Sequence, residues 1–411
     1  MRAYERFLEY VKVFTTSDPD NETDTPTTRR QFDLACLLAA EMKAMGIVDA
    51  YADEHGYVYG HIPPTPGCEG VPALGFLAHM DTSPDAPGEG VAPLLHENYD
   101  GGDVRLPSGH VIPAQKFPLI QMVKGETLIT ADGSTLLGAD DKAGIAEILT
   151  LCEELLQSGR PHGPLCIAFT PDEEVGRGVD KINLEALGAQ YAYTVDGGPV
   201  YEIEYESFNA ADAKVYFSGV SVHPGSAKDI MVNAAKLAIE FNALLPPAEC
   251  PEKTEEREGF YHLHSMQGNV EEAALHYILR DHDRGLFEQR KAALQSAAAE
   301  MQARYGQSAV RLVIKDSYYN MGEVVQQHFH LVENACEAVR KAGCKPEIVP
   351  IRGGTDGSRL SFMGLPCPNI GTGGLYPHGP SECISVQQMD KVVEVLHFLV
   401  QAYATFVPPV E

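Results

Sequence analysis

The stretch from residue 137 to residue 170, LGADDKAGIAEILTLCEELLQSGRPHGPLCIAFT, decides the fold class. Over 142–156, Ile145, Ile148, Leu149, Cys152 and Leu156 recur at helical spacing, and Gly159 follows as a stop. Residues 165–170 form an uncharged apolar run, the pattern of a buried strand. Helix then buried strand is the alternation of an α/β layer. Acids stand at both ends of this unit: Asp140 and Asp141 before the helix, and Asp172, Glu173 and Glu174 after the strand.

The alternation continues in both directions. Phe7, Leu8, Val11 and Phe14 share one helical face, and a second helix is expected over 30–45 with Gly46 as its stop. Short strands are expected over 57–62, 73–78 and 191–195. After Phe208 the pattern changes. A strand over 213–217, a helix over 232–245, a strand near 277–280, a helix over 284–305 and a strand over 310–315 resemble a β-α-β-β-α-β sandwich. The α/β pattern resumes after Ser317 with a helix over 326–342, a strand over 347–351 and a closing helix from Val386 to about Phe406. The expected architecture is an α/β catalytic domain with a mostly parallel sheet flanked by helices. Residues 1–207 and 318–411 form its two parts, and residues 208–317 form an inserted, smaller α+β lid.

Composition narrows the functional class. The 411 residues carry 31 Lys+Arg against 58 Asp+Glu, a net charge of −27, which argues against nucleic acid or an anionic membrane as partner. The N-terminal segment has charges within its apolar pattern, so no secretory signal is expected there, and no run of 18 apolar residues occurs. Nine scattered cysteines without a CxxC pair read as reduced thiols, which points to the cytoplasm.

Polar clusters sit just beyond the strand-like runs, where open α/β sheets bind ligands. They are His79 with Asp81, Asp140 with Asp141, Asp172-Glu173-Glu174, and Asp196 before two glycines; His378 lies in a Gly-rich loop near the C-terminus. Each alone has an ordinary reading as a structural histidine, a helix N-cap, a solvated acid run or a turn. Together they offer two His and several carboxylates, mixed N/O donors that suit zinc. Five ligands with one shared carboxylate would hold two ions, which can polarise a carbonyl and generate hydroxide at neutral pH. The HExxH, GxSxG and Walker A motifs are missing.

The motifs HMDTSPD, LGADDKAGIAEI, AFTPDEEVG, YTVDGG, SVHPGSAK and IRGGTDGSRLSFMGLPCPN resemble those of the co-catalytic zinc exopeptidases related to carboxypeptidase G, and most closely its tripeptide aminopeptidases. The resemblance runs from about Arg6 to the last helix. It implies two Zn²⁺ per chain, with His79, Asp140 and Asp196 on one ion, Asp140, Glu174 and His378 on the other, and Asp140 bridging. It implies that Glu173 is the general base that activates a metal-bridging water, and that Asp81 orients His79. A cis peptide is implied at Asp140–Asp141. His223 matches a lid histidine that stabilises the oxyanion, and Arg280 and Arg352 match positions that grip the peptide carboxylate. The implied activity is removal of the N-terminal residue from tripeptides; the alternative is a related dizinc dipeptidase or N-acyl amino acid amidohydrolase. Short peptides are the implied partners, with a possible homodimer through the lid. The loop Gly379-Pro-Ser-Glu-Cys383 departs from the related sequences, many of which carry another His there.

Overall fold

Eight strands form the main sheet. In spatial order they are Tyr51–Ala52, Val58–Ile62, Leu165–Thr170, Leu74–His79, Tyr191–Gly197, Asn369–Gly371, Glu202–Glu206 and Glu347–Pro350. The four central strands are parallel, and the neighbours on either side of them pair antiparallel. The structure, a computed structural model, describes residues 1–407. The central strands are apolar because both faces are covered: every residue of Leu74–His79 and of Leu165–Thr170 is buried.

The helix Ala139–Ser158 packs on the Leu74–His79 strand, and the helices Ala3–Tyr10 and Val386–Tyr403 pack on it in turn. It is therefore buried on nearly every side from Asp141 to Cys152. The single apolar stripe expected from the sequence is replaced by all-round burial, and at its C-terminal end Leu155 is buried while Leu156 is exposed. The first turn is not helical. Gly138 has φ +81°, and Asp140 and Asp141 have φ/ψ of −85°/103° and −123°/34°. The Asp140–Asp141 peptide is cis, as the resemblance implies.

A second, smaller antiparallel sheet joins Gly374–Leu375, Cys383–Ser385, Leu128–Thr130 and Leu94–His96. The sequence reading does not contain it. Its strands are two or three residues long, too short for a period-2 pattern to stand out.

By contact the chain divides into two compact units. The larger comprises Met1–Tyr205, Met321–Val349 and the residues from 355 onward; the smaller comprises Glu206–Asn320 and Pro350–Gly354. The smaller unit is a four-stranded antiparallel sheet in the order Phe260–Gly268, Glu272–Asp281, Asn209–Ser218, Val310–Tyr318. Ala211, Ala213, Val215 and Phe217 alternate onto one face and pack with Leu237 and Phe241 of the helix Ala234–Ala243 and Leu294 and Met301 of the helix Arg284–Tyr305. The edge strand Phe260–Gly268 is absent from the sequence reading. Its last five residues are exposed, so it lacks the apolar alternation that marks a half-buried strand.

Candidate metal centre

The fold brings five distant chain segments together at the carboxyl ends of the parallel strands of the main sheet. His79 and Thr170 end their strands, and Asp196 stands one residue before the end of Tyr191–Gly197. Asp140 follows the left-handed Gly138, and His378, itself at φ +64°, comes from the loop before Cys383–Ser385. Asp140 lies between two imidazoles. Its Oδ1 is 2.8 Å from His79 Nε2 and its Oδ2 is 3.1 Å from His378 Nε2. Asp196 Oδ1 is 3.4 Å from His79 Nε2, and Glu174 Oε2 is 2.9 Å from His378 Nε2. One carboxylate thus faces two histidines, and each histidine has a second acid beside it. Among the described residues, two groups satisfy the spacing of a metal site: His79, Asp140 and Glu174, and His79, Asp141 and Asp196.

The supporting contacts fix these donors. His79 Nδ1 donates to the Asp81 backbone carbonyl at 3.0 Å, which leaves Nε2 facing Asp140 and Asp196. The fully buried Asp81 carboxylate accepts the backbone N–H groups of Glu173 at 3.0 Å and Glu174 at 3.2 Å. Its Oδ1 is farther from His79 Nδ1, at 3.5 Å. Asp81 therefore orients His79 mainly through its main chain and the acid pair through its side chain. Asp141 accepts from His79 N and Gly144 N, each at 3.2 Å.

Electrostatics at the site are those of crowded acids. Burial and the Asp196 charge push Glu173 well above the usual carboxylate range. Burial and the Asp140 charge push Glu174 up to about 8, and burial pushes Asp196 up to about 6. Burial opposes ionisation of Asp140 as well, but hydrogen bonds from His378 and His79 hold it well below its usual value. Hydrogen bonds to Asp140 and Glu174 raise His378 to about 11. Glu174 Oε1 is buried with no hydrogen-bond partner among the described residues. Divalent cations would relieve this repulsion and engage that oxygen, so the donor set fits two such ions.

Three acids outside the predicted set complete the surroundings. Glu382 accepts from three backbone N–H groups of the Asp140 turn. Asp172 accepts from Thr27 N, Thr27 Oγ1 and Gln31 Nε2, which pins the segment before Glu173. Asp356 accepts from Thr170 Oγ1 at 2.7 Å, and burial pushes it up to about 7. The only sequence signal for them is an acid inside each Gly- or Pro-containing turn.

The remaining candidates lie in the smaller unit. His223 is exposed, and its Nδ1 accepts from Gly225 N at 3.1 Å. Arg280 is half-buried on the Tyr318 ring and donates to the Tyr318 hydroxyl; burial lowers it to about 10. Arg352 donates through Nη1 to the carbonyls of Glu256 and Glu258, and through Nη2 to Thr254.

Residues 131–402 match Peptidase family M20/M25/M40. A peptidase T from Geobacillus sp. is 52% identical over 402 residues, covering 97% of this chain and 98% of that protein. A peptidase T from Bacillus pumilus is 52% identical over 396 residues, covering 95% and 96%. Among solved structures, an aminopeptidase PepT from Bacillus cereus superposes with a TM-score of 0.75 at 22% identity, covering 98% of both chains. A tripeptidase from Staphylococcus aureus gives 0.79 at 21% identity, again covering 98% of both. A dinuclear metal-binding M20 peptidase from Bacillus subtilis gives 0.67 at 14% identity and 98% of both; at these identities the structural likeness concerns the fold. With two thirds of its length matching the family and full-length relatives at half identity, the chain belongs to peptidase family M20/M25/M40.

Proposed function

We propose that this chain is a dizinc aminopeptidase that removes the N-terminal residue from tripeptides. The observation that carries the reading is the Asp140 carboxylate, one oxygen on each of two histidines, with Asp196 and Glu174 outside them. The names of the half-identical relatives support the peptide substrate. His79, Asp140 and Asp196 would hold one zinc, and Asp140, Glu174 and His378 the other. When bound, the two ions supply Lewis-acid polarisation of the scissile carbonyl and a lowered pKa for the attacking water.

The side chains do the rest. Glu173 takes a proton from the attacking water on its carboxylate and delivers it to the leaving amine. Asp81 keeps Glu173 in place through the backbone N–H it accepts. The His223 imidazole is assigned the developing oxyanion as a hydrogen-bond donor. Arg280 and Arg352 are assigned the substrate carboxylate, which a guanidinium pairs in bidentate fashion. Arg352 already spends both Nη atoms on Thr254, Glu256 and Glu258, so Arg280 is the primary anchor.

The test is a substrate series with the zinc-loaded protein: a tripeptide, a dipeptide and an N-acetylated tripeptide. The free tripeptide should be cleaved fastest, releasing its N-terminal residue. Preference for the dipeptide or the acetylated peptide would instead identify a dipeptidase or an amidohydrolase.

A further inference from the structure

We propose that Glu382 is a positioning residue that holds Asp140 in its bridging orientation and ties it to the loop that carries His378. The inference rests on the dizinc reading above. Glu382 is buried, at 2% exposure, and both of its carboxylate oxygens accept hydrogen bonds. Oε2 accepts from Leu137 N at 2.7 Å and Gly138 N at 2.8 Å, and Oε1 accepts from Asp140 N at 3.0 Å. These donors need an external acceptor because the turn is not helical: Gly138 is left-handed and Asp140 has ψ 103°. Buried N–H groups left without a partner are costly, and a carboxylate satisfies them with short, charge-assisted bonds.

The topology turns this clamp into a device for the site. Glu382 lies four residues after His378, and the intervening turn is closed by Glu382 N donating to Gly379 O at 3.1 Å. Ser381 Oγ meets His110 Nε2 at 2.9 Å, and Cys383 enters the small sheet opposite Thr130. One braced loop thus holds Asp140 twice, by its side chain through His378 Nε2 and by its backbone through Glu382. The distance between the bridging carboxylate and its second histidine is set within this closed circuit.

The experiment compares wild type with Glu382→Gln, using the full-length chain loaded with Co²⁺. Glutamine keeps one oxygen for Leu137 and Gly138 but turns an NH₂ group toward the Asp140 N–H. The affinity for the second Co²⁺ should fall about 10–100-fold, the visible spectrum of the bound Co²⁺ should change, and kcat should fall with KM nearly constant. A purely structural residue would lower the melting temperature without touching the spectrum. Unchanged Co²⁺ affinity and spectrum in Glu382→Gln would overturn the inference, whatever its stability. If that variant does not fold, Glu382→Asp, which keeps the charge one methylene short, is read by the same criteria. Wild type that takes up no Co²⁺ would instead overturn the dizinc reading itself.

Discussion

Asp81→Asn separates two roles that this acid could play. The Asp81 carboxylate accepts Glu173 N on Oδ1 at 3.0 Å and Glu174 N on Oδ2 at 3.2 Å, with no solvent access. Asparagine offers one oxygen, so one of these bonds is lost and an NH₂ group faces the orphaned N–H. A hydrogen bond to a buried charge is worth about 1.5–3 kcal/mol. At about 1.4 kcal/mol per factor of ten, misplacing Glu173 by that amount lowers kcat roughly 10–150-fold. His79 keeps its contact, because its Nδ1 donates to the Asp81 main-chain carbonyl, which the substitution leaves in place. Zinc content and KM should therefore stay within about twofold of wild type. The assay is steady-state hydrolysis of a tripeptide, with metal analysis on the same preparation. Zinc lost in proportion to activity would refute the reasoning, since the carboxylate would then act through a zinc-holding residue, His79 or Glu174, and not through Glu173. A kcat within about threefold of wild type would show that the two amide contacts do not place the base.

Glu173→Gln should take up zinc normally and lose about 10²–10⁴-fold in kcat, measured on the same tripeptide. Glu147 lies in the buried helix with neither oxygen partnered among the described residues, and burial pushes it well above the usual carboxylate range. Because its folded-state pKa is raised, stability falls as pH climbs through the unfolded value of about 4.3 and toward the folded one. Glu147→Gln removes that dependence, so thermal melts should show its advantage over wild type growing as the pH rises above about 4.3. Gly144→Ala should give little folded protein, as judged by soluble yield and circular dichroism, because its Cβ would overlap the Val195 carbonyl oxygen and press on Asp141. A strong chelator should lower the melting temperature by the linkage of each site, about 2.7 kcal/mol at a zinc concentration 100 times Kd, with full recovery on adding zinc back.

What was legible in the sequence follows from how strongly local chemistry constrains each element. Leu165–Thr170 and the helix Arg284–Tyr305 match their expected bounds, one as an uncharged apolar run and the other as a long segment closed by Gly306. The strand Phe260–Gly268 was not legible because its partner and not its own side chains makes it a strand: it pairs with Glu272–Asp281 while its far end faces solvent. The ligand candidates were legible because His79, Asp140, Glu174, Asp196 and His378 each sit beside a turn or strand end that the sequence marks. Their partners were not. Glu382 meets Leu137 across 245 positions and Asp172 meets Thr27 across 145, and no local pattern encodes such a contact.

These long-range contacts also explain how so many acids coexist. Asp140, Glu173, Glu174 and Asp196 repel one another, and the described ion pairs at the centre come only from His79 and His378. The segments that carry them are held by a second set of carboxylates that accept backbone N–H groups: Asp81 on Glu173 and Glu174, Asp141 on His79 and Gly144, Glu382 on Leu137, Gly138 and Asp140. Burial pushes Glu382 up to about 7 and Asp141 well above the usual carboxylate range, and the amide donors offset part of that cost. Asp81 and Glu382 also bind a segment far from their own in the chain, so four of the five pieces of the centre are cross-linked by these bonds. A lysine or arginine in the same places would neutralise the inner acids and weaken their hold on a divalent ion. The arrangement keeps the inner carboxylates rigid and still electrostatically unsatisfied, the condition a site needs to hold divalent ions.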